Sequence, residues 1–120
     1  GNVTFTSSEV TARCPMTDQP DFYTVEVSYL PRDLCVESKT VKLYFQQFRE
    51  HGEFVEAFTR RISKDFFLAL NPYEVIVKVT QTPRGGWGIS VHDSLYPEMP
   101  EVRAFDPATW NGGFLEETNV

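Results

Sequence analysis

The sequence is poor in the side chains that build most metal and redox sites. Its 120 residues hold only two cysteines, Cys14 and Cys35, and two histidines, His51 and His92. Two cysteines make no disulfide framework. With no CxxC pair, and with histidines that share no ligand spacing, no metal site is expected. Such sparing use of cysteine reads most simply as a reducing, cytoplasmic setting. Positive charge is scarce too: 11 Lys and Arg against 17 Asp and Glu leave a net charge of −6. An extended nucleic-acid face needs the opposite balance. Only local basic patches remain, the densest being Arg60-Arg61 with Lys64, and Lys39 with Lys42. No run of about 18 apolar residues occurs, so no helix is expected to span a membrane, and no signal peptide is read at the N-terminus. Internal repeats, low-complexity tracts, a strand–GxGxxG–helix unit and a GxSxG elbow are all missing.

What remains is a composition that suits one globular domain. Hydrophobic residues make up 41% of the chain and aromatics 14%, enough for an ordinary core at this length. Phe supplies 10 of the aromatics, against 5 Tyr and 2 Trp. That excess predicts bulky packing or an extensive subunit interface.

The patterning predicts two strands, two helices and two strands. Residues 3–12 are rich in β-branched side chains and alternate loosely. A loop holding Pro15 and Pro20 follows through Asp21. In 22-FYTVEVSYL-30, Tyr23, Val25, Val27 and Tyr29 share one face, as in a half-buried antiparallel strand. Val41, Tyr44, Phe45 and Phe48 mark an amphipathic helix, with Ser38 as its N-cap and Gly52 as its C-terminal cap. Phe54, Phe58, Ile62 and Phe66 form the stripe of a second helix that ends before 71-NP-72. A strand follows in 74-EVIVKVTQT-82, then the turn 83-PRGGWG-88 and a short last strand, 89-ISV-91. Paired strands with helices grouped between them imply an α+β domain, an antiparallel four-stranded sheet with two helices on one face. It is expected to occupy residues 1–96, with an irregular tail over 97–120.

Several residues carry candidate chemistry. Cys14, beside Arg13 and Pro15 at a strand exit, reads either as an exposed nucleophile or as a small buried hydrophobe. Asp21 reads either as turn chemistry or as a proton donor or acceptor brought near Cys14 by the loop between them. Lys39 and Lys42 share a helix face, which suits an anion at a helix start or a solvated surface equally. Gly85 and Gly86, next to Arg84, either let a ligand approach the backbone or simply make a hairpin. Cys35 reads as packing.

Taken together, 14-CPMTDQPDF-22, 37-ESKTVKLY-44, 48-FREHGEFVE-56 and 83-PRGGWGISV-91 resemble the nitrile reductases of the QueF family, which have the tunnelling fold. The resemblance runs over about residues 9–92 in the family's order. It implies a single deazaguanine substrate, 7-cyano-7-deazaguanine, whose nitrile becomes an aminomethyl group at the expense of two NADPH, in queuosine tRNA modification. By the same resemblance Cys14 attacks the nitrile carbon to give a covalent thioimide, and Asp21 donates protons. Val36, Glu37 and Ser38 line the base pocket, beside Val55 and Glu56, with Glu56 taking the N–H edge of the base. Lys39, Lys42 and Arg84, with Gly85 and Gly86, hold NADPH. Subunits are expected to form homo-oligomeric barrels, by resemblance a decamer of two pentamers, with sites between neighbours. Two departures stand out: Val55 occupies the position where the family usually has a substrate-contacting histidine, and the chain starts close to its first strand. They lean toward the runner-up, a QueF-like amidinotransferase that converts the cyano base in tRNA to archaeosine. The intact ESKTVKLY segment and the acidic charge lean against it. A base binder without turnover is the third reading.

Overall fold

The computed structural model describes residues 1–99. The tail expected over 97–120 therefore lies almost wholly outside the described residues. The elements run β1 (Val3–Arg13), β2 (Pro20–Leu30), α1 (Ser38–Gln46), a 3-10 turn (Gln47–Glu50), α2 (Val55–Leu70), β3 (Glu74–Arg84) and β4 (Trp87–Leu95). The strands form one antiparallel sheet in the order β1-β2-β3-β4. The α+β architecture expected from the sequence is thus observed. No helix among the described residues is long and apolar enough to cross a membrane.

Period-two alternation decides which face of the sheet is covered. Tyr23, Val25, Val27 and Tyr29 from β2 and Val75, Val77 and Val79 from β3 are all at most 2% exposed. Their neighbours in sequence face away from the helices. In β1 the alternation breaks. Ser7 pairs with Val25 but Val10 pairs with Tyr23, so one extra residue bulges out between them. The bulge reverses the parity: Val3, Phe5 and Ser7 point inward before it, Val10 and Ala12 after it. This is why the first strand alternates only loosely in the sequence.

Between sheet and helices runs a chain of aromatic rings. Tyr29 meets Phe66, which meets Tyr44, then Phe48, Phe58 and finally Tyr23, with centroid separations from 4.8 to 6.5 Å. Most contacts are tilted or edge-on, the arrangement favoured by ring quadrupoles. The Phe excess therefore serves packing, although Phe22 and Phe54 stay more than half exposed.

The structure corrects several details. The N-cap of α1 is Glu37, not Ser38. Its carboxylate accepts the N–H groups of Lys39 and Thr40 at 3.0 and 3.2 Å. The Lys39 bond, more than any other cause, holds the Glu37 carboxyl below the usual range. Gly52 does not cap α1, because that helix tightens into the 3-10 turn at Gln47 and ends at Glu50. Phe54 is not part of the buried stripe of α2 but its N-cap. The other end of α2 stops as expected, with Asn71 in the left-handed region at φ 47° and Pro72 behind it. Pro20 and Asp21 belong to β2 rather than to the loop, and β4 extends well past 89–91.

One buried polar contact ties α1 to α2. The Tyr44 hydroxyl donates to Asp65 Oδ2 at 2.7 Å, and Asp65 is 3% exposed. Burial, with the Asp65 carboxylate beside it, keeps the Tyr44 phenol protonated far above its ordinary range. Tyr44→Phe removes this donor and leaves the carboxylate under-bonded. Urea unfolding is expected to show a loss of about 1–3 kcal/mol with an unchanged denaturant slope.

Candidate active site

Cys14 is the first residue past β1, and the loop it opens is tightly stapled. The Cys14 N–H donates to the Gln19 carbonyl at 2.8 Å, and the Asp18 N–H to the Cys14 carbonyl at 2.9 Å. Asp18 turns the chain with φ 59°, a conformation Asp tolerates better than most residues. The thiol is half-buried rather than sealed. It lies below the ordinary cysteine value because the Thr17 hydroxyl bonds it and the N–H groups of Met16 and Thr17 point at it. The Asp21 carboxylate pushes the other way, as a negative neighbour must. Asp21 pairs with Ala12 across the β1–β2 ladder, two residues before Cys14, so its charge is felt at the sulfur. Asp21 itself is 4% exposed and accepts a hydrogen bond from the Tyr23 hydroxyl at 3.4 Å.

The strand end behind Cys14 is gripped from both sides. The Arg13 N–H donates to the His51 carbonyl at 2.8 Å, and the Arg13 carbonyl accepts from the Glu53 N–H at 3.3 Å. Together they make a parallel bridge between Arg13 and Gly52. Opposite Arg13 stands Pro20. A proline has no N–H to give, and here none is needed, because Arg13 spends its polar groups on the 51–53 segment. The Arg13 guanidinium bonds the Asp18 carbonyl at 2.8 Å and the Glu50 carboxylate at 2.8–2.9 Å.

The remaining candidates fall at two ends of the sheet. Tyr23 pairs with Gln81, so the β3–β4 hairpin tip projects at the Cys14–Asp21 end. Its turn is Gly85-Gly86, with φ 56° and 86°, between the paired residues Arg84 and Trp87. Two positive φ angles suit glycine and the twist of a two-residue hairpin. Phe58 packs on Tyr23 at 5.2 Å, which brings the start of α2 to this end as well. There Val55 is buried in the core at 4% exposure, while Glu56 is exposed. The other group sits with Tyr29. The Val36 N–H donates to the Tyr29 hydroxyl at 3.1 Å, and Cys35 lies beside the same hydroxyl. Val36 is buried, Glu37 caps α1, and Ser38, Lys39 and Lys42 are exposed on that helix. From Asp21 to Tyr29 the chain advances eight residues along β2, or about 26 Å.

A cavity of about 330 Å³ opens between β1 and α1, lined among others by Ser7, Glu9, Ser38, Lys42, Phe45 and Arg49. It gathers Ser38 and Lys42 but not Lys39, Cys14 or Asp21.

The family described as QueF-like protein matches residues 20–98. A protein of Streptococcus thermophilus named NADPH-dependent 7-cyano-7-deazaguanine reductase is 41% identical over 110 residues, which are 87% of this chain and 68% of that protein. The chain belongs to the QueF family. A protein of the same name from Nitratidesulfovibrio vulgaris is 43% identical over 96 residues, 80% of this chain and 58% of its own length. Among solved structures, the apo crystal structure of an archaeosine synthase, QueF-Like, superposes with a TM-score of 0.72. It covers 78% of this chain and 91% of that one at 22% identity, and so speaks for the fold alone.

Within this QueF chain, sequence reasoning missed Thr17 and the 51–53 segment. Thr17 stood in the quoted motif without a role. Its hydroxyl is the foremost influence on the thiol. Thr17→Val keeps the shape and removes that bond, so the thiol is expected to titrate higher. Iodoacetamide labelling of Cys14 followed by mass spectrometry against pH should show the midpoint move up, with Cys35 unaffected.

Proposed function

We propose that this chain is an NADPH-dependent 7-cyano-7-deazaguanine reductase that converts the nitrile to an aminomethyl group in queuosine synthesis. The observation that carries the reading is the half-exposed Cys14 at the exit of β1, two residues past the strand position that pairs with the buried Asp21. The names of the relatives above 40% identity support it. Those names leave the amidinotransferase reading unfavoured.

The chemistry follows from the residues. A nitrile is a weak electrophile, and covalent capture converts it to a better hydride acceptor. Cys14 Sγ passes its proton to the Asp21 carboxylate and adds to the nitrile carbon. As the C–S bond forms, one C≡N electron pair moves to nitrogen, which takes a proton from the Asp21 carboxyl. Going from nitrile to amine takes four electrons, hence two NADPH per base. NADPH supplies hydride when bound. The cationic Lys42 and Arg49 and the hydroxyls of Ser7 and Ser38 around the β1–α1 cavity suit its phosphates, and the exposed Lys39 adds charge on the same helix. Arg84, Gly85 and Gly86 lie at the Cys14 end of the sheet, where a hairpin backbone free of side chains lets a ligand approach. Glu56, exposed on the first turn of α2, suits the N–H edge of the base, and Val55 is an apolar wall behind it.

Val36, which donates to the Tyr29 hydroxyl, is held toward the end of β2 away from Asp21, eight residues or about 26 Å along the strand. A base pocket using both groups takes them from two copies. This favours a homo-oligomer, by family resemblance a decamer of two pentamers. The outer edges of β1, apart from Arg13, and of β4 have no strand partner among the described residues and suit such joining. NADPH chemistry and two thiols outside any disulfide suit the cytoplasm.

Mixing protein, cyano base and NADPH is expected to consume two NADPH per base, read by absorbance. Cys14→Ala should abolish both turnover and the covalent mass increase on intact protein, whereas Cys35→Ala should retain the adduct. An adduct on Cys14→Ala would assign the nucleophile elsewhere. Asp21→Asn is expected to lower kcat by about 100-fold or more, the usual weight of a general acid, while base affinity changes little. A loss confined to affinity would make Asp21 a binding residue.

A further inference from the structure

We propose that Glu53 is a positioning residue for Cys14, acting through Arg13: its carboxylate, held by Arg61 and His51, fixes the short segment that grips the strand end from which the thiol loop departs. The bonds form an unbroken series. Arg61 Nε donates to both Glu53 oxygens at 2.9 Å, and His51 Nε2 lies 3.0 Å from Glu53 Oε2. The Glu53 side chain is only 12% exposed, so these charges meet with much of their water removed. The backbone of the same two residues, His51 and Glu53, supplies both hydrogen bonds to Arg13. Between them Gly52 runs beside Pro15, and a Cβ there would make ordinary contact with Pro15 Cα at 3.6 Å. Pro15 directly follows the nucleophile, and the Arg13 guanidinium ties the far side of the loop at Asp18. The carboxylate thus bears on the loop without touching substrate. His51 acts here through its backbone and as a partner of Glu53, with its ring edge-on to Phe48 at 5.6 Å.

The mechanism by which slack in this segment reaches the sulfur is loss of aim. The groups that lower the thiol, Thr17 Oγ1 and the N–H groups of Met16 and Thr17, are contributed by the loop itself. The charged groups around it are Asp21 from β2, Asp18 within the loop, Arg13 at the end of β1 and Glu50 from the 3-10 turn. None of these is altered in the test. The inference rests on Cys14 being the nucleophile, but its measurement does not need turnover.

In a Cys35→Ala background, iodoacetamide labelling of Cys14 is followed by mass spectrometry from about pH 5 to 10. Glu53→Gln is expected to raise the midpoint toward the free-cysteine value of about 8.5 and to slow labelling at neutral pH by up to about tenfold. Arg61→Lys keeps the charge but not the two-oxygen grip, and an intermediate rise is expected. If Glu53→Gln fails to unfold cooperatively, Arg61→Lys carries the test alone. A wild-type labelling profile in a folded variant overturns the proposal. Absence of NADPH oxidation in the wild type, with the labelling shift intact, would overturn the proposed reaction and leave the positioning role standing.

Discussion

The two backbone hydrogen bonds of Arg13 join the parts of this protein that chemistry must bring together. On one side lies the β1–β2 hairpin with Cys14 in its loop and Asp21 at the start of β2. On the other lies the connection between the 3-10 turn and α2. The sheet alone would leave β1 an open edge at this point, with an unpaired N–H and C=O. The 51–53 segment takes both groups, so the helical layer is anchored to the sheet at the nucleophile. Pro20 is compatible with its strand for the same reason: it faces a residue whose hydrogen bonds point away from it.

Much of the fold was legible because burial imposes periodicity. The inward faces of β2 and β3 and the Phe58–Ile62–Phe66 stripe of α2 follow from spacings of two and of three to four. The misses have local causes. Ser38 and Glu37 both carry oxygen acceptors next to a helix start, and only the backbone geometry decides that Glu37 reaches the free N–H groups. Gly52 looked like a cap because glycine commonly ends helices. Here it lies in the segment that bridges Arg13 and runs beside Pro15, where a Cβ would make only ordinary contact. Strand β1 hid its parity behind a bulge. Of the candidate site, Cys14 and Asp21 stood out in the sequence by their setting, and the family resemblance supplied the other expected residues. Thr17 and the Glu53–Arg61 pair did not stand out, since nothing local marks a hydroxyl that turns toward a sulfur, or an ion pair eight residues apart.

The order of motifs along the chain also conceals their distribution in space. The CPMT and ESKT segments lie close in sequence, yet β2 runs between them and carries them to opposite ends of the sheet. The third motif returns, because α1 and the 3-10 turn travel back toward Cys14. A meander interrupted by a helical pair therefore separates the two groups of candidate residues along the sheet. Apart from Arg13, the outer edges of β1 and β4 have no strand partner among the described residues.

A thiol held below the ordinary cysteine value runs against a chain with a net charge of −6. Distance resolves the conflict. Charges more than about 8 Å away are largely screened at physiological salt, whereas hydrogen bonds to the sulfur act at contact. Even the nearby Asp21 carboxylate ranks below the Thr17 and Met16 donors. The acidic balance of the whole protein thus bears little on the Cys14 thiol, and the donors of its own loop weigh more. The same logic bears on Val55. Buried against the core at the start of α2, it offers no proton at the position where the family resemblance leads one to expect histidine. The His51 ring is engaged by Glu53 and Phe48, which leaves it tied to the segment that grips Arg13.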